Sequence, residues 1–517
     1  MDTPKWLDDA VFYNVYPQSF YDANGDGIGD LEGICQKLYY ISDMGFNAIW
    51  LNPVYESPFR DGGYDVTDFY KIASRYGTNE DFATLCKEAK KRGIKIIMDL
   101  VAGHTSIECE WFKKSALPEK NEYTNRYIWT NSIWDKGDNN TFISGFSDRD
   151  GCYLNNFFYC QPALNYGYKN ITQPWQLPMN HPDCMKMRDE LLAIMDFWCD
   201  LGADGFRVDM AHSLIKNDPD GSGLLELWQY LRTEFKKRHP ECVLVSEWSN
   251  PDKAINAGFD IDFLLPFGNK AYTLLFGYIR TSDWSNMEED WLGNWYFDSE
   301  GKGDIHDFLD IYMQYYDKTR NKGYISIPTG NHDLQRSSVM GDAVDLKIAY
   351  TFILTMPGVP FVYYGDEIGM KQLKGLPSKE GGYNRTGART PMQWDEGKNY
   401  AFSQADVTYL PVDNSDDAPT VAEQLKNDDS LLNYTKHLIK IRHENPALHA
   451  SGAWEIIEAG YPFVYKRENI LVIINPKDEA CEVKIDGNGR CIADVNAEIV
   501  EGAVRTKGKG AAVVLLD

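Results

Sequence analysis

Short runs rich in β-branched and aromatic residues alternate along the chain with longer stretches whose apolar positions recur every three or four residues. The runs "VFYNVYP" (11–17), "NAIWLNP" (47–53), "IKIIMDLV" (94–101), "GADGFRVD" (202–209), "CVLVSE" (242–247), "IDFLL" (261–265), "YISIPTG" (324–330) and "VPFVYYG" (359–365) read as strands. Between them lie amphipathic helices. In "MRDELLAIMDFWCDLGADGF", Leu191, Ile194, Met195 and Trp198 share one face, and Gly202 ends the helix before the next strand. Eight strands with helices between them predict an α/β chain folded as a (β/α)8 barrel. Residues 105–180 break this rhythm with an aromatic-rich, Gly/Asn/Asp-punctuated stretch after the third strand. It is predicted to be an inserted, loop-rich domain on the barrel's C-terminal face. A last helical pattern, "SLLNYTKHLIKIRHENPAL", precedes alternating runs such as "PFVYKR", "NILVIIN" and "AAVVLLD", which predict a C-terminal antiparallel β domain. The expected organisation is a barrel over 1–104 and 181–450, an insertion over 105–180 and a β-sandwich over 451–517.

Composition narrows the function. A formal charge of −25 repels phosphate backbones and anionic lipid, which argues against nucleic-acid or membrane-surface partners. The start "MDTPKWLDDAVFYNVYP" shows no basic segment followed by an apolar run, and no apolar stretch reaches the roughly 18 residues of a membrane span. A cytoplasmic location is expected. Ten Cys without a CxxC pair and nine His without an HxxxH pair suggest reduced, buried thiols and neither a disulfide framework nor a zinc site.

Two places carry candidate chemistry. "DANGDGIGD" (22–30) spaces Asp22, Asn24, Asp26 and Asp30 around Gly27 as a calcium loop does, yet the bidentate Glu of an EF-hand would fall at Gly33. The residues alone leave two readings, a metal-stapled loop or a plain Asp/Asn/Gly turn. The second place is the set of acids that end barrel strands: Asp209 after "GFRV", Glu247 after "VLVS" and Asp333 in "TGNHD". Singly each suits a helix cap or a surface carboxylate. Together they converge on one rim, as the two carboxyls of a retaining glycosidase must, and Arg207 points the same way along its strand.

At these residues the chain resembles the α-amylase superfamily of retaining α-glycoside hydrolases and transglycosylases. "DLVAGH", "GFRVD", "SEWSNP" and "GNHD" resemble its four main segments in order, with "GFNAIWLNP", "QPALNY" and "GVPFVYYGDEIG" resembling accessory ones. The resemblance implies Asp209 as nucleophile, Glu247 as general acid/base and Asp333 as the carboxylate that grips the sugar's 2- and 3-hydroxyls. It implies sugar contacts from His104, His332 and Tyr64, and Arg207 orienting Asp209. It also implies one structural Ca2+ held by Asp22, Asn24, Asp26, the Ile28 carbonyl and Asp30. A second calcium site known in secreted amylases uses an Asn where this chain has Gly103, and is expected to be absent.

Within the superfamily the chain is similar to the oligo-1,6-glucosidase, α-glucosidase and trehalose synthase branch. His212 and Ser213 replace the Lys-His pair of polymer-cleaving amylases, Arg336 follows Asp333 by three residues, and "GARTPMQWD" is typical of that branch. Ala163 and Met210 depart from its pattern and leave linkage preference open. The resemblance implies Asp65 paired with Arg389 or Arg385 as the clamp on the terminal glucose, with Arg336 at the substrate. Trp291, Trp295 or Tyr296 could stack on an acceptor sugar or simply pack. The expected activity is hydrolysis of short α-gluco-oligosaccharides by double displacement. The alternatives are a transglycosylase (glucanotransferase or trehalose synthase), an endo-acting α-amylase and, remotely, a non-catalytic partner subunit.

Overall fold

The computed structural model describes residues 3–137, 141–145, 147–277, 294–485 and 487–517. Eight parallel strands form the central sheet: β1 (Phe12–Val15), β2 (Ala48–Leu51), β3 (Lys95–Leu100), β4 (Gly205–Val208), β5 (Val243–Ser246), β6 (Ile261–Phe263), β7 (Tyr324–Ser326) and β8 (Phe361–Tyr363). Each pairs with its sequence neighbour from β1 to β7, and β8 returns to pair with β1. Between β7 and β8 the ring continues through Thr329, whose amide donates to Phe361 O at 3.0 Å. All eight runs read as strands are strands, and the sheet is a nearly closed (β/α)8 barrel. Gly205 opens β4 at φ +143, and a Cβ there would lie 2.2 Å from Val243 O, so only glycine lets β4 approach β5 this closely.

The seam between β1 and β8 carries a buried acid. Glu367 Oε1 accepts from Tyr13 and Tyr40 hydroxyls, both at 2.7 Å, and burial pushes its pKa up to about 7. The native chain therefore keeps a proton that the unfolded chain gives up near the ordinary glutamate value of 4.5. The stability from this group is fully present below that value and is lost as pH rises through about 7. Melting at pH 5.5 is expected several degrees above melting at pH 8, and Glu367→Gln should shrink that difference; an unchanged difference would contradict the account.

The helices wrapping the sheet include α1 (Leu31–Asp43), α2 (Asn79–Lys91), α3 (Pro182–Asp200), α4 (Ser222–Arg238), α5 (Pro251–Ala257), α6 (Ile305–Thr319), α7 (Ala343–Thr355) and α8 (Leu431–Glu444). Among the described residues none is long and apolar enough to cross a membrane. Among the described residues, 105–180 hold one short helix (Glu110–Ser115) and a two-stranded hairpin (Phe142–Ile143 with Tyr153–Leu154), tied to the barrel rim where His104 bridges Ala163. The C-terminal region forms one six-stranded antiparallel sheet of β9 (Glu455–Glu458), β10 (Phe463–Arg467), β11 (Ile470–Asn475), β12 (Cys481–Lys484), β13 (Gly489–Val500) and β14 (Ala503–Leu516). Alternate residues of β11 divide it: Ile470, Val472 and Ile474 join the barrel core, while Leu471 and Ile473 join a separate apolar cluster on the other face. Buried Arg467 fastens this sheet to the barrel through carbonyl oxygens of Thr355 and His449.

Candidate active site

The cavity at the C-terminal ends of the strands, about 470 Å³, is lined by the polar residues Asp61, Tyr64, His104, Asp209, Glu247, Asp333 and Arg385 and by the aromatic residues Phe157, Trp248 and Phe267. Strand geometry brings the first group together. Arg207 is the penultimate residue of β4, so its side chain enters the barrel while Asp209, two residues on, leaves on the same face at the rim.

Arg207 is fully buried, and its guanidinium is the hub. Nη1 lies 2.7 Å from Asp99 Oδ1 and 3.2 Å from Asp209 Oδ1, and Nη2 lies 2.6 Å from Glu247 Oε1. Asp209 and Glu247 thus share one cation. Burial raises the Asp209 pKa well above the usual carboxylate range and the Glu247 charge adds to this, while Arg207 opposes both. Met210, next to Asp209, takes a left-handed φ of +43, rare for a side chain of its size, and this turns its amide onto Glu247 Oε2 at 3.0 Å.

Asp333 has a different environment. Its Oδ1 meets Arg385 Nη1 and Arg389 Nη2 (3.0 Å to the latter), and its Oδ2 lies 3.2 Å from His332 Nε2. Burial works against its charge, yet His332, Arg385 and Arg389 together hold its pKa well below the usual range. Burial pushes His332 down to about 4, so the ring is neutral at pH 7. Asn52 Nδ2 faces His332 Nδ1 at 2.9 Å, which leaves the ring hydrogen on Nε2, toward Asp333 and the Tyr64 oxygen 2.7 Å away. Tyr64 in turn donates to Asp99 Oδ2 at 2.9 Å, which also accepts from Trp50 Nε1 at 3.1 Å. A continuous network therefore runs from Asp333 through Tyr64 and Asp99 to Arg207 and the carboxyl pair. His104 is held between the Tyr64 carbonyl (3.1 Å) and Asn156 Nδ2 (3.1 Å).

Four expectations fall differently in the structure. Asp65 does not face an arginine: it is fully buried and accepts from Ser57 Oγ (3.0 Å) and the amides of Arg60 (3.0 Å) and Asp61 (3.1 Å). Its carboxylate is consumed by the turn that presents Asp61, and Asp61 is the acid across from Arg385, at 3.7 Å, with Gln161 Nε2 at 2.8 Å on its other oxygen. Arg389, expected at that clamp, points instead to Asp333, the His332 carbonyl (2.8 Å) and Tyr16, so it positions the Asp333 segment. Arg336 is away from the cavity, fully buried against Tyr364 O (2.6 Å) and Asp366 (3.3 Å). Tyr296 is no acceptor platform either: it is buried, with its hydroxyl on Gly460 O and Ile474 O, and Trp295 packs on the barrel core beside Gly277. Trp291 lies outside the described residues. Asp61, Asn52, Gln161, Phe157, Trp248 and Phe267 are the site residues that sequence reasoning missed.

The loop at 22–30 is closed by its own side chains. Asp22 accepts from the amides of Gly25 and Gly27, both at 2.7 Å, Asn24 from Asp26 at 2.9 Å, Asp26 from Ile28 at 2.9 Å, and Asp30 caps α1 through Gly33 at 2.6 Å. A Cβ on Gly33 would lie 2.0 Å from Tyr21 O, so no glutamate can stand at the EF-hand's last ligand position. The remaining donors are hard oxygens, which suits calcium. Among the described residues these carboxylates are not gathered within 4.8 Å of one another. At Gly103 a Cβ would meet Asn156 Nδ2 at 2.6 Å, so the insertion's Asn156 fills that space.

A barrel whose strand ends deliver a guanidinium-bridged acid pair and a third, strongly ionised carboxylate is built to process glycosides. Residues 14–451 match the α-amylase catalytic-domain family, and the chain belongs to it. It is 31% identical over 531 residues to an oligo-1,6-glucosidase of Parageobacillus thermoglucosidasius, covering 91% of this chain and 90% of that one. It is also 31% identical to a trehalose synthase/amylase of Mycolicibacterium smegmatis, covering 90% and 81%. A solved structure of an isomaltulose synthase mutant from Erwinia rhapontici NX5 with D-glucose superposes with a TM-score of 0.82 at 26% identity, over the whole of both chains. The protein is thus an α-amylase-family glycosidase or transglycosylase, close to the oligo-1,6-glucosidases and to the sucrose-isomerising enzymes.

Proposed function

We propose that this enzyme is a retaining, exo-acting α-glucosidase on short α-gluco-oligosaccharides. The observation that carries the reading is the Asp61–Arg385 pair, which lines the cavity together with Asp333 and would grip the outer hydroxyls of a terminal sugar. The shared Arg207 guanidinium supports a short separation of Asp209 and Glu247, the arrangement of retention (roughly 5 to 5.5 Å) rather than inversion (roughly 6.5 to 9.5 Å). In the first step Asp209 attacks the anomeric carbon while Glu247 gives its proton to the departing glycosidic oxygen, leaving a glucosyl ester on Asp209. In the second, Glu247 takes a proton from water, the freed hydroxide oxygen bonds to the anomeric carbon, and Asp209 leaves as carboxylate. Asp333, ionised through Arg385 and Arg389, accepts hydrogen bonds from the ring hydroxyls as positive charge develops on the sugar.

A second reading is favoured by the aromatic lining residues Phe157, Trp248 and Phe267 and by the isomaltulose synthase likeness: a sugar retained against them would replace water as acceptor, giving transfer or isomerisation. Incubation with isomaltose, maltose, sucrose, trehalose and maltoheptaose separates the two. Glucose from isomaltose or maltose supports hydrolysis, whereas rearranged disaccharides without net glucose support transfer.

The 22–30 loop is proposed to bind one Ca2+ through Asp22, Asn24, Asp26, the Ile28 carbonyl and Asp30, remote from the chemistry. Binding would draw these oxygens together and stabilise the native state by mass action. Chelation is expected to lower the melting temperature by several degrees with kcat little changed. An identical melting curve with calcium and with chelator would remove the proposal.

A further inference from the structure

At the barrel end opposite the active site, three elements place sulfur and nitrogen donors together. Cys199 is in the last turn of α3, His239 caps the C-terminus of α4, and Cys242 immediately precedes β5. Their ligand atoms all lie within 4.8 Å of one another, with the two Sγ atoms 3.4 Å apart. Among the described residues this is the one such trio of His, Cys, Asp or Glu. The imidazole is held in place: His239 Nε2 lies 3.1 Å from Asp196 Oδ1, one turn before Cys199 on α3, and Arg238 pairs with the other oxygen of that carboxylate. A ring hydrogen given by Nε2 to Asp196 keeps the imidazole lone pair on Nδ1, the nitrogen that would then serve as ligand, which is the carboxylate–histidine support that metal sites use to fix tautomer and raise basicity. Cys199 and His239 are half-buried, so an ion can enter from solvent.

We propose that Cys199, His239 and Cys242 bind a thiophilic divalent cation of the zinc class, with water completing a tetrahedral site. Two thiolates and one imidazole match the softness and coordination number of zinc and differ from the hard-oxygen donors of the 22–30 loop. On binding, each thiol loses its proton to solvent, two sulfur–metal bonds form, Nδ1 donates its lone pair, and no electrons are transferred. The ion ties the ends of α3 and α4 to the start of β5, the strand that Glu247 directly follows, so its role is to staple the frame. Nothing in the geometry gives it a part in turnover.

The test uses the full-length enzyme without a histidine tag, stripped with chelator, kept reduced and titrated with Co2+ and then Zn2+. The expected result is one equivalent of Co2+ with a thiolate charge-transfer band and tetrahedral visible bands, displacement by Zn2+, a higher melting temperature with Zn2+ and unchanged kcat. Cys199→Ser and His239→Gln should each abolish the band, Asp196→Asn should weaken affinity roughly 10- to 100-fold, and Cys481→Ser should change nothing. Absence of the band in the reduced enzyme, or its persistence in Cys199→Ser, would overturn the proposal. So would a Cys199–Cys242 disulfide peptide from unreduced enzyme that took up no metal after reduction, since that identifies a redox pair instead.

Discussion

Replacing Asp209 by Asn is expected to abolish turnover on every glucoside, by more than roughly 1,000-fold in kcat, because the amide cannot form or release the glucosyl ester. The Arg207 network makes the loss specific. The amide oxygen of the Asp209→Asn variant can still accept the Nη1 hydrogen, and Arg207 keeps Asp99 and Glu247 as counter-charges, so the fold should survive. Glu247→Gln should behave differently. It removes the proton donor, so substrates with poor leaving groups fail, while α-glucosyl fluoride, which needs no acid, should still load Asp209. Added azide should then take the glucosyl unit with retained configuration in the Glu247 variant. Retention of about a tenth of native activity by Asp209→Asn, with contamination excluded, would contradict the assignment.

The second large effect is expected at the Asp61–Arg385 pair in the cavity. Asp61 is buried between Arg385 and Gln161, and burial raises its pKa while those partners oppose the rise. A terminal glucose entering here would exchange these contacts for its outer hydroxyls, and a site built for hydroxyls discriminates strongly against their loss. Asp61→Ala should lower kcat/KM on isomaltose or maltose by at least roughly 100-fold, with a smaller loss on maltoheptaose, whose further units retain binding. Asp65→Ala should instead show mainly lost stability, because its carboxylate is spent on the turn. For the native enzyme, glucose should be the first product from maltoheptaose. Early maltose or maltotriose, or equal losses on short and long substrates in Asp61→Ala, would favour the amylase or glucanotransferase reading.

The contrast between Asp61 and Asp65 shows what was legible in the sequence. The eight strands could be read because each is a β-rich run followed by a turn signal, and the acids at their ends inherit a common rim from the barrel's geometry. Which of two acids in "DGGYD" faces the cavity could not be read, since it depends on which one the amides of Arg60 and Asp61 capture. Arg336 was misplaced for a similar reason: its partner Asp366 lies on a distant loop, and a charge that looks available along the chain is consumed in the fold. Gly33 was informative in the opposite sense, its missing side chain leaving room for the Tyr21 carbonyl. The Cys199, His239 and Cys242 trio escaped because its members come from the ends of two helices and the start of a strand, with no short motif spacing.

The central claim is double displacement on the Asp209–Glu247 pair, and the anomeric form of the first glucose released reports it most directly. Followed by proton NMR in the first moments of p-nitrophenyl α-glucoside hydrolysis, where all glucose comes from the glycon, and before mutarotation, α-glucose should appear first and the β-anomer only later. β-Glucose as the initial product would mean a single displacement by water and would contradict it.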